Sequence, residues 1–106
     1  MVERYGIYLI NLDPTVGKEM KKTRPCVVLS PNEANRHMST VVIAPITSTL
    51  RNYPMRLSLT LKGKKGQIAC DQLRSVDVVR MGKKIRVLPF NQQKKLRGIL
   101  NDFLVA

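Results

Sequence analysis

Residues 55–61 read Met-Arg-Leu-Ser-Leu-Thr-Leu, and this stretch carries the clearest structural signal in the chain. Apolar and polar side chains alternate strictly along it, as in a strand with one buried face, because successive side chains of a β-strand point to opposite sides. Residues 62–66 contain two glycines and predict a hairpin loop, followed by a strand over residues 67–70. The alternation predicts that four apolar side chains face the core: Met55, Leu57, Leu59 and Leu61.

Short apolar runs elsewhere in the chain are separated by turn residues and predict further strands. A helical turn is predicted over residues 33–37, and polar loops over residues 18–23 and 47–54. Nothing between the strands has the pattern of a crossover helix, which parallel strands require. We therefore expect a small, strongly bent antiparallel sheet or barrel. The other predicted strands are residues 7–12, 25–30, 41–46, 75–79 and 85–88.

The hydrophobic period changes after Pro89, where apolar residues recur at the spacing of one helix face. We predict a C-terminal helix with Asn91 as its N-cap. Gly98 lowers the stability of this helix by about 1 kcal/mol relative to alanine. Edge strands and the exposed face of the helix are candidate surfaces for a dimer. The predicted apolar face consists of Leu96, Ile99, Leu100, Phe103 and Leu104.

Length and composition favour one domain over residues 1–106, since 106 residues with 43% hydrophobic content can form one ordinary core. The longest apolar stretch, residues 41–46, is too short to span a membrane, and residues 7–10 are too short for a signal peptide. We expect a cytoplasmic protein. Cys26 and Cys70 lack metal-site spacing and are expected to be buried free thiols.

The positive charge is the strongest functional signal in the composition. Nineteen Lys and Arg residues against seven Asp and Glu give a net charge of +12. Basic residues cluster in three segments, residues 18–24, 62–65 and 80–86, which together are able to neutralise several phosphates. We therefore expect a nucleic-acid partner; a merely solvated basic surface is the alternative for any single cluster.

The titratable residues disfavour several kinds of nuclease chemistry. The chain has one histidine, His37, so a two-histidine acid/base site is disfavoured. The seven acids form no recognisable metal-binding pair or loop, which disfavours a two-metal nuclease. An RNA 2'-hydroxyl supplies its own nucleophile, so the protein has only to align the attack, move protons and stabilise negative charge. Arginine suits the last role because its planar fork binds phosphate oxygens and stays charged.

Three blocks of sequence carry a family resemblance: Asn-Leu-Asp-Pro-Thr-Val-Gly-Lys-Glu at 11–19, Thr-Arg-Pro-Cys-Val-Val-Leu-Ser at 23–30, and Val-Ile-Ala-Pro-Ile-Thr-Ser at 42–48. The chain resembles the MazF/PemK (Kid) family of toxin endoribonucleases over essentially its whole length. The resemblance implies an SH3-like small antiparallel barrel with a C-terminal α-helix, in a mainly β homodimer. It also implies cleavage of single-stranded mRNA to 2',3'-cyclic phosphate and 5'-hydroxyl ends, without a metal ion or other cofactor. A cognate, acidic MazE-like antitoxin is the implied protein partner.

The resemblance also assigns residues. It implies that Arg24 stabilises the phosphorane-like transition state and is a candidate to protonate the leaving oxygen. Thr47 is implied to hydrogen-bond a phosphate oxygen, and Glu19 is a candidate general base. Residues expected to bind RNA are Lys18, Lys21, Lys22, Ser48, Arg51, Asp71 and Gln72.

The chain departs from some family members at two positions. Ala69 stands where some members have an arginine, and Lys18 where some have a histidine. Two other functions remain open from the sequence. A CcdB-like gyrase poison would share the barrel, although such proteins act through a C-terminal Trp and this chain has no Trp. A plain RNA-binding module would bind RNA and leave it intact.

Overall fold

The computed structural model describes residues 2–12 and 23–105. Within these residues seven strands and two α-helices are formed, with short 3-10 turns at Cys70–Gln72 and Val78–Arg80. The elements are β1 Gly6–Asn11, β2 Thr23–Val28, α1 Asn32–His37, β3 Thr40–Thr47, β4 Arg56–Leu61, β5 Lys64–Ala69, β6 Arg74–Asp77, β7 Met81–Val87 and α2 Phe90–Leu104.

Strand β3 organises the sheet because it pairs with three other strands. The sheet order is β4-β5-β3-β2-β1-β7, with β6 also paired to β3, and every pairing is antiparallel. One edge of β3 bonds to β2; the other bonds to β6 over residues 40–43 and to β5 at residues 46–47. Pro45 lies where the second edge changes partner, which suits a residue that has no N–H to donate.

The two strands at the ends of this order, β4 and β7, approach each other because the sheet curls. Arg86 of β7 donates from Nη2 to the backbone carbonyl of Thr60 in β4 at 3.0 Å. An arginine side chain thus satisfies a carbonyl on an edge strand. The curled antiparallel sheet with a C-terminal helix confirms the predicted mainly β fold.

Apolar side chains form one cluster on each face of the sheet, as the period of two along each strand requires. On β2, Val27 belongs to the first cluster, whereas Cys26 and Val28 belong to the second. Leu59 of β4 is buried in the first cluster, and the three other apolar side chains of residues 55–61 pack against that cluster. The predicted core face of β4 is therefore confirmed.

Both cysteines are buried and free, which confirms that prediction. Removal of the thiolate from water raises the pKa of Cys26 to about 12 and that of Cys70 to about 11. Within the described residues, no helix is long and apolar enough to cross a membrane.

The hairpin between β4 and β5 is shorter than predicted. Residues 62–66 were expected to form the loop, but β5 begins at Lys64. Lys62 and Gly63 have φ angles of 52° and 79°, so both central residues occupy the left-handed region of a tight two-residue turn. Such a turn matches the twist of the two strands, and it extends the ladder to Leu61 and Lys64.

The N-cap predicted for the C-terminal helix is wrong. The helix begins at Phe90 with Pro89 as N-cap, so Asn91 lies inside its first turn. Pro89 has the extended backbone of an N-cap, and its carbonyl accepts from the N–H groups of Gln92 and Gln93.

The predicted apolar face of this helix is buried only in part. Leu96 is buried, and Ile99 and Leu100 pack against the first cluster. Phe103 and Leu104 remain 42% and 58% exposed, because the last turn of α2 extends beyond the packed core.

Replacement of Gly98 by alanine is expected to stabilise the protein by about 1 kcal/mol, because alanine loses less backbone entropy in a helix. A Cβ atom built at Gly98 meets nothing within 4 Å. Urea denaturation of wild type and Gly98→Ala measures the difference.

Gly82→Ala serves as the matched control. Its Cβ would lie 2.7 Å from the carbonyl oxygen of Leu9, where backbone has to move, so this variant is expected to lose stability. If Gly98→Ala and Gly82→Ala changed the free energy of unfolding by the same amount, the open surroundings of Gly98 and the crowded surroundings of Gly82 would be contradicted.

Candidate active site

Arg24 and Thr47 lie in one cleft because of the register between β2 and β3. The β2–β3 ladder ends at the pair of Cys26 and Pro45, and the same register continued by two positions would set Arg24 across from Thr47. Residues opposite each other in antiparallel strands project from the same face. Both line a cleft of about 330 Å³, which we call the Arg24–Thr47 cleft. Its lining residues are Arg24, Pro25, Ile46, Thr47, Ser48, Thr49, Leu61, Lys64, Lys65 and Gly66.

The Arg24–Thr47 cleft is built to receive an anion. Among the described residues, its charged lining consists of Arg24, Lys64 and Lys65, with no carboxylate. Three hydroxyl side chains, those of Thr47, Ser48 and Thr49, supply further hydrogen-bond donors. Cations and hydroxyl groups in one concave surface are suited to a phosphate backbone.

Thr47 ends β3 in a fixed orientation. The residue is only 8% exposed, and its Oγ1 accepts a hydrogen bond of 3.0 Å from the backbone N–H of Thr49. This contact uses a lone pair and leaves the hydroxyl hydrogen available to donate.

Gly66 lets β5 approach the end of β3 beside this hydroxyl. A Cβ at Gly66 would lie 3.1 Å from Cγ2 of Ile46 and 3.2 Å from the carbonyl oxygen of Thr47. Any larger residue would therefore crowd the strand end that carries Thr47.

Arg24 also lines a second cleft, of about 390 Å³, which we call the Gln72 cleft. Its lining residues are Leu12, Arg24, Pro45, Gln72 and Arg74. The exposed Arg24 therefore stands between two concave surfaces. This position brings Gln72, a predicted RNA contact, to the same arginine.

A buried glutamine holds loop 48–55, the segment between β3 and β4. Gln67 Oε1 accepts from the N–H of Arg51, and Gln67 Nε2 donates to the carbonyl of the same residue, both at 3.0 Å. Arg56 Nη1 donates to Gln67 Oε1 at 3.1 Å and to the carbonyl of Thr49 at 3.3 Å. Neither Gln67 nor Arg56 belongs to a motif that predicts a functional role, since both lie within strands among ordinary strand residues.

Asp71, another predicted RNA contact, is paired with Arg56. Arg56 donates from Nε to Oδ1 at 2.7 Å and from Nη2 to Oδ2 at 3.1 Å. The hydrogen bond and charge of the guanidinium lower the pKa of Asp71, and the carboxylate raises that of Arg56. Both carboxylate oxygens thus accept from Arg56, which the sequence alone did not reveal.

The remaining predicted site residues are distributed as follows. Ser48 lines the Arg24–Thr47 cleft, and Arg51 is exposed on loop 48–55. Glu19, Lys18, Lys21 and Lys22 lie outside the described residues. In residues 2–12 and 23–105, no three His, Cys, Asp or Glu side chains form a group able to hold a metal ion.

Asp71→Asn is expected to lower the free energy of unfolding at pH 7 and to flatten its pH dependence at acid pH. A carboxylate whose pKa is lowered by folding stabilises the protein above its unfolded pKa, and this contribution is lost as the pH falls through the folded pKa. Urea denaturation of both proteins from pH 7 to pH 3 measures the effect. A constant difference across that range would show that the Asp71 charge does not contribute.

Comparison with known proteins identifies the family. The model of the PemK-like, MazF-like toxins of type II toxin-antitoxin systems matches residues 3–104. Endoribonuclease PemK from Escherichia coli is 34% identical over 109 residues, spanning 97% of this chain and 82% of the relative. The crystal structure of MazF (Form-I) from Deinococcus radiodurans superimposes with a TM-score of 0.80 at 27% identity, over 99% of this chain and 97% of that one.

A structure of MazE-MazF (Form-II) from the same organism gives a TM-score of 0.81 at 27% identity, over 97% of this chain and 95% of that one. The family match covers nearly the whole chain, and the curled sheet with its terminal helix agrees with the fold of the superimposed MazF structures. The chain therefore belongs to the family of PemK-like, MazF-like toxins of type II toxin-antitoxin systems.

Proposed function

We propose that this toxin cleaves single-stranded mRNA without a metal ion and thereby inhibits translation and growth. Membership of the family makes the chain a toxin and an endoribonuclease. The mechanism is supported chiefly by one observation: Arg24 and Thr47 line the same cationic cleft.

In the proposed reaction, the 2'-hydroxyl oxygen of one ribose attacks the adjacent phosphorus. The new bond from the 2'-oxygen to phosphorus forms as the bond from phosphorus to the 5'-oxygen breaks. The 2'-hydroxyl proton passes to a base, and the departing 5'-oxygen receives a proton. The products are a 2',3'-cyclic phosphate and a 5'-hydroxyl, and no water or cofactor enters the step.

Arg24 is proposed to bind the non-bridging oxygens, where negative charge increases in the transition state. Its guanidinium stays charged at neutral pH and fits two phosphate oxygens at once. Its place between the Arg24–Thr47 cleft and the Gln72 cleft lets an RNA strand pass from one to the other across the arginine. Arg24 is also our candidate for the proton donor to the 5'-oxygen.

Thr47 is proposed to donate its free hydroxyl hydrogen to a phosphate oxygen. The bond from Thr49 N–H fixes Oγ1, so this donor is oriented before RNA binds. Glu19 is the proposed base; the assignment rests on the family resemblance.

RNA flanking the reacting phosphate is proposed to contact basic and polar side chains around the cleft. Lys64 and Lys65 line the cleft itself and contribute sequence-independent attraction. Gln72 and Asp71 follow β5 and are proposed to contact bases, Asp71 in the orientation that Arg56 gives it. The other proposed RNA-binding residues are Lys18, Lys21, Lys22, Ser48 and Arg51.

We also propose a cognate antitoxin with an acidic segment that covers this cleft in the cytoplasm. The Deinococcus radiodurans neighbour is a MazE-MazF structure, and the net charge of +12 here complements an acidic chain. A homodimer is proposed as the functional form. The exposed apolar side chains at the end of α2, Phe103, Leu104 and Val105, are a candidate part of its interface.

Cleavage is expected to persist in EDTA and to leave 2',3'-cyclic phosphate and 5'-hydroxyl ends. The assay incubates the purified protein with a long transcript and maps the 5' ends of the fragments. Strict dependence on a divalent metal ion would contradict the mechanism. If the protein binds the transcript and leaves it intact, the plain RNA-binding alternative is supported instead.

Arg24→Ala is expected to lower the cleavage rate by roughly 10²–10⁴-fold, because the transition state loses its principal charge stabiliser. Arg97→Ala is the matched control, since Arg97 is an exposed cation on α2. Single-turnover cleavage by the two variants gives the comparison. A wild-type rate in Arg24→Ala would remove this residue from the mechanism.

The proposed homodimer predicts a mass in solution of twice the 12.0 kDa of the chain. Light scattering after size exclusion measures this mass. Phe103→Lys is expected to shift the protein towards monomer, because it places a charge in the apolar patch. A monomeric wild type at micromolar concentration would refute the dimer.

A further inference from the structure

We propose that Arg56 and Gln67 form a clamp that positions Thr47 and loop 48–55 for RNA cleavage. Neither residue lines the Arg24–Thr47 cleft, so both act through other residues. The inference rests on the proposed function, and it assigns positioning roles to two residues outside the reacting groups.

Loop 48–55 depends on side chains for its shape because it contains neither helix nor strand. Gln67 binds both the N–H and the carbonyl of Arg51, at 3.0 Å each, and so replaces the two bonds that a neighbouring strand would provide. Gln67 is itself buried and lies in β5, where its backbone pairs with Thr47. The clamp therefore ties the middle of the loop to the strand beside the proposed site.

Arg56 joins this clamp to a second part of the loop. Its guanidinium donates to the carbonyl of Thr49, to Gln67 Oε1 and to both carboxylate oxygens of Asp71. The side chain of Arg56 is only 5% exposed, so the Asp71 carboxylate compensates for the desolvation of its charge.

The contacts of Arg56 lead directly to the proposed reacting groups. Arg56 holds the carbonyl of Thr49, and the N–H of Thr49 holds Oγ1 of Thr47. A shift of Thr49 would turn the Thr47 hydroxyl. An error of about 1 Å in the placement of a catalytic group is able to lower a rate by about 10²-fold.

The clamp predicts that its loss reduces kcat far more than it changes KM. Gln67→Met keeps the volume of the buried side chain and removes both polar atoms, and Arg56→Met removes the guanidinium. Each variant is expected to lower kcat by about 10–100-fold while KM changes by less than about threefold. Gln67→Glu keeps the Oε1 acceptor and loses the donor, so an intermediate kcat is expected. Arg97→Met controls for the loss of one positive charge and is expected to match wild type.

Salt dependence separates positioning from direct phosphate binding. The probe is an intact oligonucleotide with the sequence that the wild type cleaves, in which every 2'-hydroxyl is methylated. It can bind but cannot react, because it lacks the attacking hydroxyl. Its affinity for Arg56→Met is expected to show the same salt slope as its affinity for Arg97→Met. The salt slope is the change in the logarithm of the binding constant per unit change in the logarithm of the salt concentration. If this slope is smaller by about 0.7 in Arg56→Met than in Arg97→Met, Arg56 contacts one phosphate of the single strand and the proposal is overturned. The clamp would have only a structural role if kcat fell in every clamp variant in parallel with its thermal stability and Gln67→Glu restored neither.

Hydrogen exchange tests the clamp without RNA. The Arg51 amide is expected to be protected in wild type and to exchange at least about tenfold faster in Gln67→Met, while core amides such as that of Val27 keep their protection. An unprotected Arg51 amide in wild type overturns the clamp alone. Absence of RNA cleavage by wild type overturns the proposed function and with it the positioning role, even where the amide is protected.

Discussion

Strand β3 and its three partners fix the geometry on which the rest of the molecule depends. The strand bonds to β2 along one edge and divides the other edge between β6 and β5. A change of partner within one strand requires the sheet to curl, and the change occurs at Pro45. This arrangement brings Arg24 and Thr47 into one cleft and places Gln67 in register with Thr47 on the other edge of β3. A register shift of one residue would turn these side chains to the opposite face.

The distribution of charge around the cleft is as important as the backbone. The Arg24–Thr47 cleft has three cations and, among its described lining residues, no acid. Asp71 is bound by Arg56, which reduces the repulsion that a free carboxylate would exert on phosphate. Among the described residues, the cleft therefore combines three cations with no lining acid, which suits an anionic ligand.

Particular residues show how far sequence patterns reach. The alternation over residues 55–61 predicts the buried face of β4, because a half-buried strand has a period of two. The turn at Lys62 and Gly63 was missed because lysine rarely adopts a positive φ, so five residues were interpreted as loop. β7 begins at Met81, ahead of the predicted residue 85, because its basic residues conceal the strand pattern. Exposure of Phe103 and Leu104 depends on where the sheet ends, which helical periodicity does not encode.

The sequence by itself determined the order of the strands and helices and the large excess of basic residues, and its three family blocks pointed to Arg24 and Thr47 as candidate site residues. Those features are local: periodicity, composition and contiguous motifs. Only the tertiary structure decided that Arg56 binds Asp71 and that Gln67 holds Arg51. These partners are 15 and 16 residues apart and share no motif. The register of the β4–β5 hairpin sets Arg56 opposite Ala69 and so brings it to Asp71, and the path of loop 48–55 brings Arg51 to Gln67.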